Sequence, residues 1–138
     1  MSYLPVRLEP GDDLRRALER EAAAALAGSA FVVAGIGSLS GASLRLAAAE
    51  AETRMAGPFE IIGLAGTVTT DGAHLHMSVA DGAGRVFGGH VGYGNTIRTT
   101  AEVLLVAVEG WSLSRILDPA TGYRELQVRR LDRGESAA

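Results

Sequence analysis

Three histidines carry the most distinctive chemistry in this chain. His74, His76 and His90 are its only imidazoles, and all fall between Asp71 and Glu102. On a strand, residues i and i+2 share a face, so His-Leu-His aims two imidazoles one way and Leu75 the other. Imidazole is the commonest protein ligand for a borderline metal such as zinc. Two readings stay open at this level. The three rings form a metal site, or they share one hairpin by accident, each hydrogen-bonded and inert. No ligand spacing as strict as His-Glu-x-x-His is present. His90 follows the pair Gly88-Gly89, which would leave open space around it.

Whether His90 joins the other two depends on the turn at Asp81-Gly82-Ala83-Gly84. Directly opposed residues of antiparallel strands share a face, and a one-residue slip reverses it. A two- or four-residue loop centred on Gly82 and Ala83 sets His76 against Gly89 and turns His90 away. A three-residue loop, Gly82 to Gly84, sets Asp81 against Arg85 and His76 against His90. That loop is a type I turn with a G1 bulge, whose third residue must be left-handed, and Gly84 takes that conformation without steric cost. The glycine therefore predicts three histidines on one face. Thr67 and Thr69 would be their neighbours if Asp71-Gly72 makes a two-residue turn.

The elements around this hairpin are read from periodicity. Tyr3 to Leu8 is extended. Asp12 is placed to cap a long helix in which Leu14, Leu18, Ala22 and Leu26 form an i, i+4 stripe. Arg15, Arg16, Glu19 and Arg20 would cover its outer face, and Gly28 would close it. Phe31 to Val33 reads as a buried strand and Ser43 to Ala47 as a second extended piece. Glu50 to Pro58 reads as a loop, and Phe59 to Thr70 as a strand. Thr99 to Val108, almost continuously apolar, reads as a strand buried on both faces. Trp111 to Leu117 and Tyr123 to Val128 form a last hairpin around Asp118-Pro119. Gly35, Gly37 and Gly41 lack the GxGxxG spacing of a dinucleotide loop. The expected architecture is one compact α+β domain, a mostly antiparallel central sheet with a long N-terminal helix on one face and short connections. It spans residues 1–131, with a polar tail over 132–138.

With 47% hydrophobic and 21% charged residues, 138 residues suffice for a buried core. There is no cysteine, which removes disulfides and cysteine-rich zinc modules. No apolar run approaches the ~20 residues of a membrane helix. The acidic start lacks the features of a signal peptide, so a cytoplasmic protein without a membrane partner is expected. A net charge of −3 and a pI near 5.6 disfavour autonomous DNA binding, which usually needs a basic patch.

Several segments together resemble the PPC domain, the plant and prokaryote conserved domain: GSL at 37–39 with SLR at 43–45, GPFEI at 57–61, GTV at 66–68, GAHLHMSVAD at 72–81, GGH at 88–90, TTAEV at 99–103 and TGYREL at 121–126. The resemblance runs from about Tyr3 to Val128. It implies an α/β subunit with a central antiparallel sheet that assembles as a homotrimer. It also implies a metal, zinc, near His74, His76 and His90. Plant relatives read minor-groove DNA through an Arg-Gly-Arg-Pro hook that this chain lacks, and Pro58 stands where the plant segment carries a basic residue.

Two functional classes follow. The first is a binding or regulatory module with a small molecule or another protein as partner, and with a DNA-associated or transcription-related role that is at most weak. The second is a metal-dependent enzyme, since three histidines on zinc leave a fourth position for water. Glu102 is the acid that could serve it as a base. Its alternative is a strand-end or interface salt bridge. Arg45, alone in an apolar alternation, either meets a partner carboxylate or interface or lies solvated on an edge strand.

Overall fold

Alternation of core-facing and outward residues carries most of this chain into strands, as seen in a computed structural model that describes residues 1–132 and Glu135. The elements are β1 (Ser2–Leu8), α1 (Leu14–Ala25), β2 (Ala30–Arg45), β3 (Thr53–Thr69), β4 (Gly72–Ala80), β5 (Val86–Val91), β6 (Thr96–Ala107), β7 (Trp111–Leu117) and β8 (Arg124–Arg130). The first six strands form one antiparallel sheet in the order β1-β6-β2-β3-β4-β5. Its end curls back, because Leu44 and Arg45 of β2 also pair with Val91 and His90 of β5. β7 and β8 form a separate two-stranded sheet.

The expected α+β class with a long N-terminal helix is overturned: this is a β-rich fold whose described residues include one short helix, of 12 residues. Both ends of the helix show why. Asp12, the expected cap, spends its carboxylate on the backbone N–H of Glu9, so Asp13 caps instead by accepting from Arg16 N at 3.0 Å. At the other end, the N–H groups of Leu26 and Gly28 both reach Ala22 O at 2.9 Å, and Ala27 turns to φ +51°. Meanwhile the sequence between Phe31 and Pro58 is strand apart from a connection over 46–52, rather than short pieces and a longer loop. β2 runs through its glycines with a bulge between Leu39 and Gly41, and β3 begins already at Thr53.

The core gathers one face of each element. Leu14, Leu18 and Ala22 of α1 pack with Leu39 and Leu44 of β2, Leu75 and Val79 of β4, and Ile97 and Leu105 of β6. Burying each of the larger side chains contributes roughly 1.5–3 kcal/mol. β6 departs from its reading as a strand buried on both faces. Ala101, Val103 and Leu105 are buried, whereas Leu104 and Val106 on the opposite side are only half-covered. Phe31 and Val33 likewise face outward on either side of buried Val32. Among the described residues no helix is long and apolar enough to cross a membrane. The expected polar tail, apart from Asp132 and Glu135, lies outside the described residues.

Candidate metal centre and adjoining cavity

The turn between β4 and β5 sets the geometry of the histidines. Asp81 N donates to Arg85 O and Gly84 N to Asp81 O, each at 2.9 Å, so the loop is Gly82 to Gly84. Gly84 sits at φ +79°, left-handed as the three-residue loop requires. The consequence is direct pairing of His76 with His90. On β4, Ala73, Leu75, Met77 and Val79 point into the core while His74 and His76 point out. The neighbouring turn differs from expectation: Thr69 pairs with Gly72, so Thr70-Asp71 occupies the loop. That moves β3 by two residues against β4, which preserves parity. Thr67 therefore opposes His74 and Ala65 opposes His76.

Three ring nitrogens converge. Nε2 of His74, Nε2 of His76 and Nδ1 of His90 lie 3.1 Å from one another on all three sides of a triangle. Hydrogen bonding cannot satisfy this arrangement. A nitrogen of a neutral imidazole either donates or accepts. Around a triangle, at least two of the three must then play the same role and oppose each other at 3.1 Å. A cation removes the conflict by accepting three lone pairs at once. Two nitrogens each ~2.0–2.1 Å from one tetrahedral ion stand ~3.3 Å apart, close to the spacing found. The donor set therefore fits a borderline metal.

The charge states agree with that fit. His74 is held below its ordinary pKa of 6.5 by burial first, then by the Arg115 guanidinium and the other two rings, with Glu125 opposing. His90 is held below it by burial, then by Arg45 and His76. The lowering favours the neutral form of both rings, the form whose lone pair can ligate.

Beside the histidines opens a cavity of about 530 Å³. Its walls include His74, His90, Arg45, Arg115, Glu52 and Glu125. β5 reaches β2 closely here, because a Cβ on Gly89 would lie 2.7 Å from the carbonyl oxygen of Arg45. The glycine before His90 thus permits strand contact, where open space was expected. Arg45 pairs in register with His90 and donates to Ala49 O at 3.3 Å. Glu102 is not brought to this place. It lies exposed on β6, opposite Arg7 of β1 and Ile36 of β2, and does not line the cavity.

Other residues position the site and were not singled out by sequence reasoning. Glu19 of α1, expected on the outer face of the helix, is turned inward. It accepts from Ala73 N at 2.9 Å, from Arg15 Nε at 3.1 Å and from the Tyr93 hydroxyl at 3.0 Å, which pins the start of β4 beside His74. Its i, i+4 spacing from Arg15 was the available signal. Asn95, fully buried, holds the β5–β6 connection to β2: its side chain accepts from Ser43 N and donates to Ser43 O and Gly92 O, all at 2.9 Å. Arg115 lies in β7, the first strand of the expected last hairpin. It donates from Nη2 to Thr67 Oγ1 at 2.7 Å, and its backbone N–H to Asp71 Oδ2 at 2.8 Å, so β7 lies over the histidine face.

The Plants and Prokaryotes Conserved (PCC) domain matches residues 1–109. A protein named Bifunctional protein GlmU, from Synechococcus sp. (strain JA-3-3Ab), is 44% identical over 127 residues, which make up 92% of this chain and 20% of that protein. The chain thus spans about a fifth of the length of the curated relatives it matches. A hypothetical protein from Salmonella cholerae-suis superposes with a TM-score of 0.90 at 34% identity, over 94% of each chain. The metal-containing protein AF0104 from Archaeoglobus fulgidus superposes with a TM-score of 0.77 at 25% identity, over 92% of this chain and 94% of its own.

Proposed function

The chain belongs to the Plants and Prokaryotes Conserved (PCC) domain family, and from that premise we propose that it is a cytoplasmic, homotrimeric binding module whose histidines hold one zinc ion. The observation that carries the metal is the triangle of His74, His76 and His90, whose three 3.1 Å contacts cannot all be hydrogen bonds. The description of AF0104 as metal-containing supports the same reading. Zinc suits three imidazoles, which would leave it a further coordination position and let it act as a Lewis acid on a bound group. His74 and His90 supply neutral nitrogens, and Glu19 keeps the β4 strand that bears His74 in place.

A binding role is favoured over catalysis. The acid considered as a base, Glu102, stands outside the cavity. The acids that do line it are engaged: Glu52 accepts from the Ser43 hydroxyl at 2.6 Å, Asp71 from Arg115 N and Glu125 from the Thr121 hydroxyl. DNA takes at most a weak part, given the net charge of −3. The deciding experiment is elemental analysis of the purified protein before and after a chelator. About one zinc per chain, lost on chelation and regained on reloading, is the expected result. Protein that neither carries nor takes up a divalent transition metal would overturn the reading.

A further inference from the structure

The cavity beside the histidines is lined by four arginines, Arg15, Arg45, Arg115 and Arg124, against three acids, an excess of positive charge in a chain whose net charge is −3. Two of the four are committed elsewhere. Arg15 is paired with Glu19 at 3.1 Å, and Arg124 with Asp71 at 3.7 Å. Arg45 and Arg115 have no carboxylate within ion-pair distance among the described residues. A guanidinium carries five N–H donors in a planar fork. Arg45 gives one bond, to Ala49 O, and the Arg115 side chain gives one, to Thr67 Oγ1. Arg115 Nε is buried with no partner at all. A buried donor without a partner costs free energy, and a guanidinium left partly desolvated costs more. These two cations flank the histidines on opposite sides, Arg45 in register with His90 and Arg115 bonded to the residue opposite His74.

We propose that this cavity binds a small organic molecule through an oxyanion, a carboxylate or phosphoryl group, held between Arg45, Arg115 and the metal. The fork of arginine matches both groups bidentately. The volume of about 530 Å³ is that of a metabolite-sized pocket. Arg115 comes from β7 and Arg124 and Glu125 from β8, so the C-terminal hairpin contributes one wall of the pocket. The proposal deepens the metal reading and rests on it for the third contact to the anion.

The test is calorimetric titration of zinc-loaded protein with inorganic phosphate and, separately, with succinate, alongside zinc content by elemental analysis. Binding of at least one probe is expected, and which one binds separates phosphoryl from carboxylate recognition. R115Q and R45Q should each weaken it by about tenfold or more, with zinc content unchanged and with circular dichroism like that of the starting protein. Because the two arginines lie on different strands, R45Q carries the test if R115Q fails to fold. R115K, keeping charge but losing the fork, should recover only part of the affinity. Absence of binding for both probes at millimolar concentration, or unaltered affinity in both glutamine variants, would overturn the anion site while leaving the metal in place. Anion binding that depends on the arginines in protein devoid of zinc would retain the pocket and remove the metal contact.

Discussion

At the level of single residues, the site is a problem of protons and lone pairs. His76 closes the triangle from the exposed end of the cluster and takes no part in the core, where Leu75 and Met77 flank it. His76→Ala should therefore abolish metal retention, read by elemental analysis, while the far-ultraviolet dichroism and melting of chelator-treated protein stay close to the parent. His74 and His90 make a second prediction. Both have folded pKa values below the ordinary 6.5. Above that value the rings are neutral in folded and unfolded chains alike, so they add no pH dependence. As pH falls below about 6.5, the unfolded chain takes up protons first, and stability drops until the pH passes the lower folded values. The melting temperature of chelator-treated protein should thus fall as the pH drops below about 6.5. The double variant H74Q/H90Q should lose that part of the decline. Metal should leave as the pH falls further and the folded rings themselves take up protons, because protons and metal compete for the same nitrogens. Metal retention undiminished in strong acid would contradict ligation by these imidazoles.

At the level of elements, the turn decides whether the three rings meet. Gly84→Val places a β-branched residue at φ +79°, at a cost of roughly 1–2 kcal/mol, although nothing lies within 4 Å of its Cβ. The strain is in the backbone alone. The variant should melt several degrees lower and hold its metal less tightly, whereas the neighbouring Ala83→Ser should change little. Equal zinc affinity in the Gly84 variant would mean that register does not depend on this turn. The histidine face was legible in the sequence because parity needs only i, i+2 spacing and one left-handed glycine. The β3–β4 turn was misplaced by one residue in its loop, yet the face survived, since the register moved by two. What stayed hidden depends on tertiary contact. The apolar stripe of α1 looks like that of a longer helix until Asp12 is seen bonding backward to Glu9. Glycines at 35, 37 and 41 look like interruptions until β2 is seen bulging through them in one piece. Arg115 is one more arginine in a polar hairpin until the hairpin folds over Thr67.

At the level of the whole molecule, charge and exposed apolar surface point to different partners. With a net charge of −3, there is little to neutralise phosphates, so duplex DNA should bind weakly and be released steeply by salt in a filter or anisotropy assay. Tight, sequence-selective retention at physiological salt would contradict this and point to a basic surface. Self-association has stronger support. On the outer face of β1, β6 and β2, Tyr3 is 60% exposed, Phe31 36% and Ile36 55%. Registers Tyr3–Val106 and Phe31–Val106 bring two of these around the half-covered Val106. The outer side of β6 carries the half-covered Leu104 and Val106, a face that suits cover by a neighbouring subunit. Glu102 lies on this same face, opposite Arg7 in register, which suits a polar contact at an interface better than a base in a distant cavity. Light scattering at micromolar concentration should give a mass near 43 kDa, about three times the 14.3 kDa chain. Ile36→Asp would put a charge in the middle of that face and should lower the mass while zinc content persists, because Ile36 does not line the histidine cavity. A parent protein that scatters as a monomer would leave this apolar face without an occupant and would remove the trimer from the proposal.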